Sequence, residues 1–277
     1  MHEWAGSFHE LDATFPASGS TRAYDLAVPL VAGMSRHPAH PPYSFVLTKR
    51  HGDHPYPGGI SAVSELISMG AHVGTHIDAL GHISYCGEIH GGIPIAGAHT
   101  HLGGLEVGSA EEIPPLLGPG HLVNGPELFG RELTPADGIG PDELAGWFST
   151  HSEPGPGSIV LIRTGWMRFW EEVNSYIGLE TGLPGLTRAG AEWLSERGVI
   201  AVGGDTMNLE HKVAGVVSLE VHLHFLFERG IYIMESLNLE VLGRDGVSDF
   251  TFFASPLRIR GGTGSPLRPI AVVQAPA

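Results

Sequence analysis

LTRAGAEWLSERGVIAVGGD, residues 186–205, decides the fold. Its first part, Leu186–Arg197, reads as an amphipathic helix, with apolar side chains returning every three to four residues. Gly198 stops it, as a glycine just past the last turn does. VIAVGGD (199–205) then reads as a buried strand. Working outward, SIVLIRTGW (158–166) is a β-branched run bounded by Gly157 and Gly165, a second buried strand. Pro141–Thr150 is expected to be a helix, with Asp142 and Glu143 in its first turn. Val216–Glu228 is a third helix candidate; Gly230 suits its left-handed cap, and IYIME (231–235) a third strand. Helix, glycine and strand alternating from 142 to 242 predict an α/β fold with helices packed on a sheet.

The flanks are less regular. HLVNG (121–125) is a further strand candidate, and Tyr24–Met34 starts strand-like and ends in Pro and Gly. Residues 35–59 read as a long Pro- and His-rich connection whose Tyr43, Phe45 and Tyr56 are expected to pack at a pocket rim. The Gly-rich stretch 88–109 reads as loop. Residues 1–23 are polar and irregular, expected as an N-terminal arm, with 24–277 forming a single domain; no internal repeat or linker divides it.

With 42% hydrophobic and 16% charged residues, the 277-residue chain has material for a sizeable core. Its formal charge of −15 repels phosphate backbones, which excludes nucleic acid as the natural partner. No run of apolar residues is long enough for a membrane helix. The first residues show no secretory pattern, and the one cysteine, Cys86, permits no intrachain disulfide or thiolate cluster. A lone cysteine is ordinarily an inert core thiol. A soluble, cytoplasmic protein is the expectation. Histidine is over-represented at 17 residues; His37, His40, His51 and His54, set among Pro and Gly, read as surface-loop residues.

The chemistry concentrates in AHVGTHIDALGHIS, residues 71–84. On a helix His72 and His76 share a face, but Asp78 and His82 point away. On a strand all four even positions share one face, opposite Val73, Ile77 and Ile83. Positions four apart on a strand are roughly 13 Å apart, too far for two imidazoles on one ion. The chain must therefore bend, and Gly74 and Gly81 stand where bends are needed. Two imidazoles and a carboxylate suit Zn²⁺, Mn²⁺ or Fe²⁺ better than Mg²⁺ or Ca²⁺, and an open coordination position would hold a water acidified toward neutrality. Other candidates weigh less. Asp205 could orient a ligand or cap a turn, Thr75 and Ser84 read as local backbone partners, and GGTGSP (261–266) as a turn without a site role.

His72-Val-Gly-Thr-His76-Ile-Asp78, with His82 four residues on, resembles the signature of the metal-dependent cyclase/hydrolase family, which includes bacterial kynurenine formamidase and isatin hydrolase. DLAVPLVAGM, VLIRTGW, the VGGD strand and IYIMESLNL support the resemblance over most of the chain. It implies a swivelling β/β/α cyclase-like fold with mixed sheets, a homo-oligomer (dimer or tetramer), and one or two zinc or manganese ions. It also implies roles: His72, His76 and Asp78 as ligands, His82 as general acid/base, and a further His and Glu as ligands. Glu235 matches that Glu. His222 is preferred over His224 for the His; the two lie 13 and 11 residues before Glu235, and about 200° apart on a helix only one can face the site. The sequence departs from the family at DALGH, where relatives carry a proline, and in the 35–59 loop; both point to a differently shaped pocket. No substrate-binding residue is indicated.

The resulting expectation is a hydrolase opening an amide, cyclic amide, imide, ester or lactone bond of a small molecule with metal-activated water. A metal-dependent lyase or dehydratase could use the same ligands, with His82 taking a carbon-bound proton. A non-catalytic metal- or small-ligand-binding protein is the third reading.

Overall fold

Ile159, Val160, Leu161 and Ile162 are all fully buried, as in a strand covered on both faces. Leu161 joins Leu122 and Phe252 in one core, while Val160 and Ile162 join Val123 and Val202 in another. That split follows from side chains alternating across the pleat. The computed structural model describes residues 14–16, 21–216 and 218–274. Among these, one ten-stranded mixed sheet organises the chain. Its centre is parallel: Leu116–Asn124, Ile159–Arg163, Ala201–Gly204 and Tyr232–Glu235 lie side by side in that order. On one flank Asp249–Ala254, Ile270–Gln274, Thr21–Asp25 and Thr14–Pro16 continue it antiparallel. On the other, His76–Asp78 pairs antiparallel with Tyr232–Glu235 and with Gly264–Pro266.

The helices fall close to where the sequence puts them. Pro141–Phe148 and Arg188–Ser195 cover the second core through Leu144, Trp147, Ala191 and Leu194. Thr187 accepts the Gly190 N–H at 3.1 Å, a cap worth ~1 kcal/mol. The third helix begins at Glu220 rather than 216 and widens to π-type bonding over Leu223–Arg229 before Gly230 stops it.

Two expectations need correction. The 35–59 segment is not all loop: Ser44–Lys49 pairs with Ser64–Ser68 in a two-stranded ribbon outside the main sheet. Its Phe45, like Tyr56 nearby, is about half exposed; only Tyr43 packs, against the core cluster that includes Val28, Met34 and Val73. The 88–109 stretch holds two short ribbons, Glu88–Ile89 with Ile93–Pro94 and His99–Thr100 with Gly104–Leu105. The boundary expected between residues 23 and 24 falls inside the strand Thr21–Asp25; residues 1–13 and 17–20 of the expected arm lie outside the described residues. No helix of the described residues is long and apolar enough to cross a membrane.

The carboxyl ends of the parallel strands gather Arg163, Gly204 and Glu235 along one edge, where ligands of open α/β sheets bind. His76 pairs with Glu235 there, which brings the central motif to the same edge.

Candidate metal centre and active-site pocket

Only His76–Asp78 of the central motif is strand. Gly74, at φ +69°, makes the bend that brings His72 back beside Asp78, a conformation β-carbon-bearing residues avoid. Leu80–His82 forms a single 3₁₀ turn. Thr75 does not bond locally, contrary to the expectation from its sequence context. Its Oγ1 donates to the Ser236 carbonyl at 2.6 Å and accepts the Val28 N–H at 2.9 Å, tying the motif to two distant segments. Gly264 comes so close that a β-carbon there would lie 2.7 Å from His72 Cε1. The GGTGSP turn therefore belongs to the site, and Thr263 Oγ1 sits 2.8 Å from His72 Nε2.

His72 Nδ1 lies 2.6 Å from Asp78 Oδ1, and the His72 ring stacks at 4.1 Å on His82 and at 5.2 Å on His40. His76 Nδ1 bonds the Gly74 carbonyl at 2.8 Å, which makes it the N–H nitrogen and leaves Nε2 facing inward. That Nε2 is 3.3 Å from Glu235 Oε2 and 3.6 Å from Asp78 Oδ1, yet it is buried with no hydrogen-bond partner. On the other side His222 Nε2 is 3.0 Å from Glu235 Oε1 and 3.9 Å from Asp78 Oδ2. Its Nδ1 is held 2.6 Å from Glu210 Oε1. His224 turns away to Ser195 Oγ at 2.8 Å and Glu228 at 2.8 Å.

The six residues singled out by sequence thus come together. Two donor groups result, His72–Asp78–His82 and His76–Asp78–Glu235, each with ligand atoms within 4.8 Å of one another. Asp78 is common to both. A buried imidazole nitrogen with no partner, between two carboxylates and oriented by its own backbone, is a fit for a divalent cation.

The electrostatics agree. Burial alone would raise the Asp78 carboxyl, but the imidazoles of His82, His72 and His76 hold it well below the ordinary range. Burial opposes a charge on His76, but Glu235 and Asp78 outweigh it and lift the imidazole to about 9. His222, likewise against burial, is raised by Glu210 and Glu235. The protein alone therefore stores protons on the nitrogens that face the two carboxylates, and a cation would displace them. His82 differs: burial dominates and pushes it down to about 4, so it is neutral at pH 7 and able to accept a proton.

Glu210 and Thr263 escaped the reading of the sequence. Leu209, just before Glu210, and Ser236, just after Glu235, both have positive φ (+55° and +53°). Such backbones in non-glycine residues cluster where the surrounding structure fixes a site. Asp205 takes the turn-capping role, accepting the Thr164 and Gly165 N–H groups at 2.8–2.9 Å and the Thr164 hydroxyl at 2.7 Å. Cys86 is exposed, not a core thiol. His37 and His40, expected as surface-loop residues, line a cavity of about 310 Å³ together with His72, His82, His222 and Glu235.

Residues 24–211 match the family model Cyclase, described as "Putative cyclase". The chain belongs to the cyclase family. Within it, the chain is 32% identical to an isatin hydrolase of Roseibium aggregatum over 137 residues, 48% of this chain and about half (51%) of that enzyme. It is 27% identical to a kynurenine formamidase of Bordetella petrii over 256 residues, covering 90% and 97% of the two chains. Among solved structures, a novel cyclase superposes with a TM-score of 0.82 at 28% identity, over 90% of this chain and 86% of that one. The mixed sheet with its packed helices is thus the cyclase fold.

Proposed function

We propose that this cyclase-family protein is a metal-dependent hydrolase that opens an amide, cyclic amide, imide or ester bond in a small molecule. The observation that carries the reading is His76 Nε2, buried without a partner between Asp78 and Glu235, where Glu235 also lines a cavity sized for a small ligand, together with His72, His82 and His222. The naming of the relatives as isatin hydrolase and kynurenine formamidase supports the same chemistry.

His72, His76, Asp78, His222 and Glu235 would hold the ion or ions, zinc or manganese by donor chemistry. When bound, such a cation supplies Lewis acidity to the scissile carbonyl and makes a nucleophile available near neutral pH. The chain does the rest. Neutral His82 takes the proton of the attacking water and returns it to the leaving nitrogen or oxygen. Glu210 and the Gly74 carbonyl fix which nitrogen of His222 and His76 faces inward.

The same proposal includes a homo-oligomer, dimer or tetramer, supported by the ribbon that leaves Phe45, Val46, Leu47, Leu66 and Ile67 exposed. It also includes residence in the cytoplasm, which the exposed, unpaired Cys86 suits.

The test is metal analysis of wild-type and Asp78→Ala protein, paired with assays on formyl-anilides, cyclic imides and lactones in isotopically labelled water. Stoichiometric metal that disappears with Asp78, and solvent oxygen in the product, are expected. Metal-free wild type that retains turnover, or a product without solvent oxygen, would overturn the reading.

A further inference from the structure

The cavity beside the donor cluster has a second polar wall that the hydrolase reading leaves unused. His72, His82, His222 and Glu235 belong to the cluster; Lys212 faces the same space from another segment. The chain has only two lysines, Lys49 and Lys212. Lys49 sits over the Tyr56 ring, 4.8 Å from its centre, beside the outer ribbon. Arg131, Arg163, Arg168, Arg188, Arg197 and Arg268 are each ion-paired with a carboxylate. No hydrogen bond or ion pair within the described residues engages the Lys212 ammonium. In a chain of net charge −15, a cation left without a carboxylate at a cavity wall calls for an explanation.

The backbone of Lys212 is fixed. Its N–H donates to the Leu183 carbonyl and its carbonyl accepts the Leu183 N–H, both at 2.9 Å. The Cα is therefore held by a two-bond bridge at a position where Lys212 lines the cavity. The charge is felt across it: burial first, and then Lys212, keep the nearby His37 imidazole below its ordinary value. His37 and His40 add imidazole rings to this wall, and Lys212 supplies its positive charge.

We infer that Lys212 reads an anionic group of the substrate, so that the site takes a small amide, imide or lactone carrying a carboxylate. The inference rests on the hydrolase reading for the bond that is broken. It adds that the carboxylate docks on Lys212 while the scissile carbonyl lies at the His82 side of the same cavity. The cavity is large enough for one ring and a short carboxylate arm. The net negative charge of the chain disfavours anions at a distance, so recognition of one must be local. A charge-assisted hydrogen bond in a cleft is worth on the order of tenfold to a hundredfold in affinity.

The experiment compares wild type, Lys212→Met and Lys212→Arg, all metal-loaded. The kinetic arm uses an N-formyl-anilide with a ring carboxylate and its methyl ester counterpart. Wild type is expected to prefer the acid in kcat/KM. In Lys212→Met the acid-to-ester ratio is expected to fall about tenfold or more, mainly through KM, with partial recovery in Lys212→Arg. The binding arm measures benzoate against benzamide by calorimetry, with the same ratio expected to fall. Equal losses for both members of a pair, or an unchanged ratio, would overturn the inference and leave Lys212 as a solvated rim residue. Turnover with a Lys212-independent ratio sinks this inference alone. Lys212-dependent benzoate selectivity without turnover of any substrate sinks the hydrolase reading and leaves the anion site standing.

Discussion

His222 and Glu210 lie 2.6 Å apart, Nδ1 to Oε1, with both side chains buried. Glu210 also accepts the Val221 N–H, so one carboxylate sets both the start of the helix and the ring orientation of its histidine. The consequence is that His222 presents Nε2 to Glu235 and not the reverse. Removing such an outer carboxylate typically weakens metal affinity by about 10- to 100-fold. Glu210→Ala is expected to do so in chelator competition, with Glu210→Gln in between, since its amide oxygen still accepts. An Ala variant with wild-type affinity would show that His222 does not need this partner.

The stored protons give a pH dependence with a definite sign. The His76 imidazole is raised from 6.5 to about 9 in the metal-free fold. A group raised on folding adds stability that is fully present below its unfolded value and lost as pH rises through the folded one. Metal-stripped protein is therefore expected to lose melting temperature as pH goes from about 6.5 to about 9. Metal affinity is expected to move the other way, rising over the same window as fewer protons must leave. Melting curves in chelator, alongside metal titrations at each pH, check both signs. A melting temperature that stays flat in chelator would contradict the assignment of that proton.

His82 stacks on His72 and belongs to a possible donor group with it and Asp78, so geometry allows it to bind an ion as well as to move a proton. The proton role predicts that His82→Ala cuts kcat by about a hundredfold or more while metal content stays at the wild-type level. Metal analysis and turnover on the same preparation decide it. A variant that arrives empty would make His82 a ligand.

The parts of this protein that were legible from sequence share a physical cause. Ile159–Ile162 and Ala201–Val202 are buried on both faces, so the strand is written as a continuous apolar run that no helix period imitates. His72, His76, Asp78 and His82 sit within eleven residues, so one bend assembles them. Ser44–Lys49 has no such signature: among the described residues it packs neither face, and it follows a Pro-rich turn, which leaves no alternation to read. Glu210, Thr263 and Lys212 are invisible for another reason. Each reaches the site through a tertiary link, to His222, to His72, or to Leu183, and nothing local marks them out.

The ribbon carries the last prediction. Phe45 opposes Ile67 and Val46 opposes Leu66, so apolar side chains stand on both of its faces, and all four are about half exposed. A two-stranded ribbon with neither face covered is marginal in water, and a contiguous apolar patch of this kind ordinarily marks an interface. A second copy of the chain is the simplest cover, in line with the proposed oligomer. Replacing Val46→Lys and Leu66→Glu together keeps a favourable cross-strand pair, so the ribbon itself should survive, but it puts charge where the partner must dock. The double variant is expected to sediment as a monomer with a native circular-dichroism spectrum and a lower melting temperature. Wild-type protein that already sediments as a monomer would remove the ribbon from the assembly and leave its exposed face without this cover.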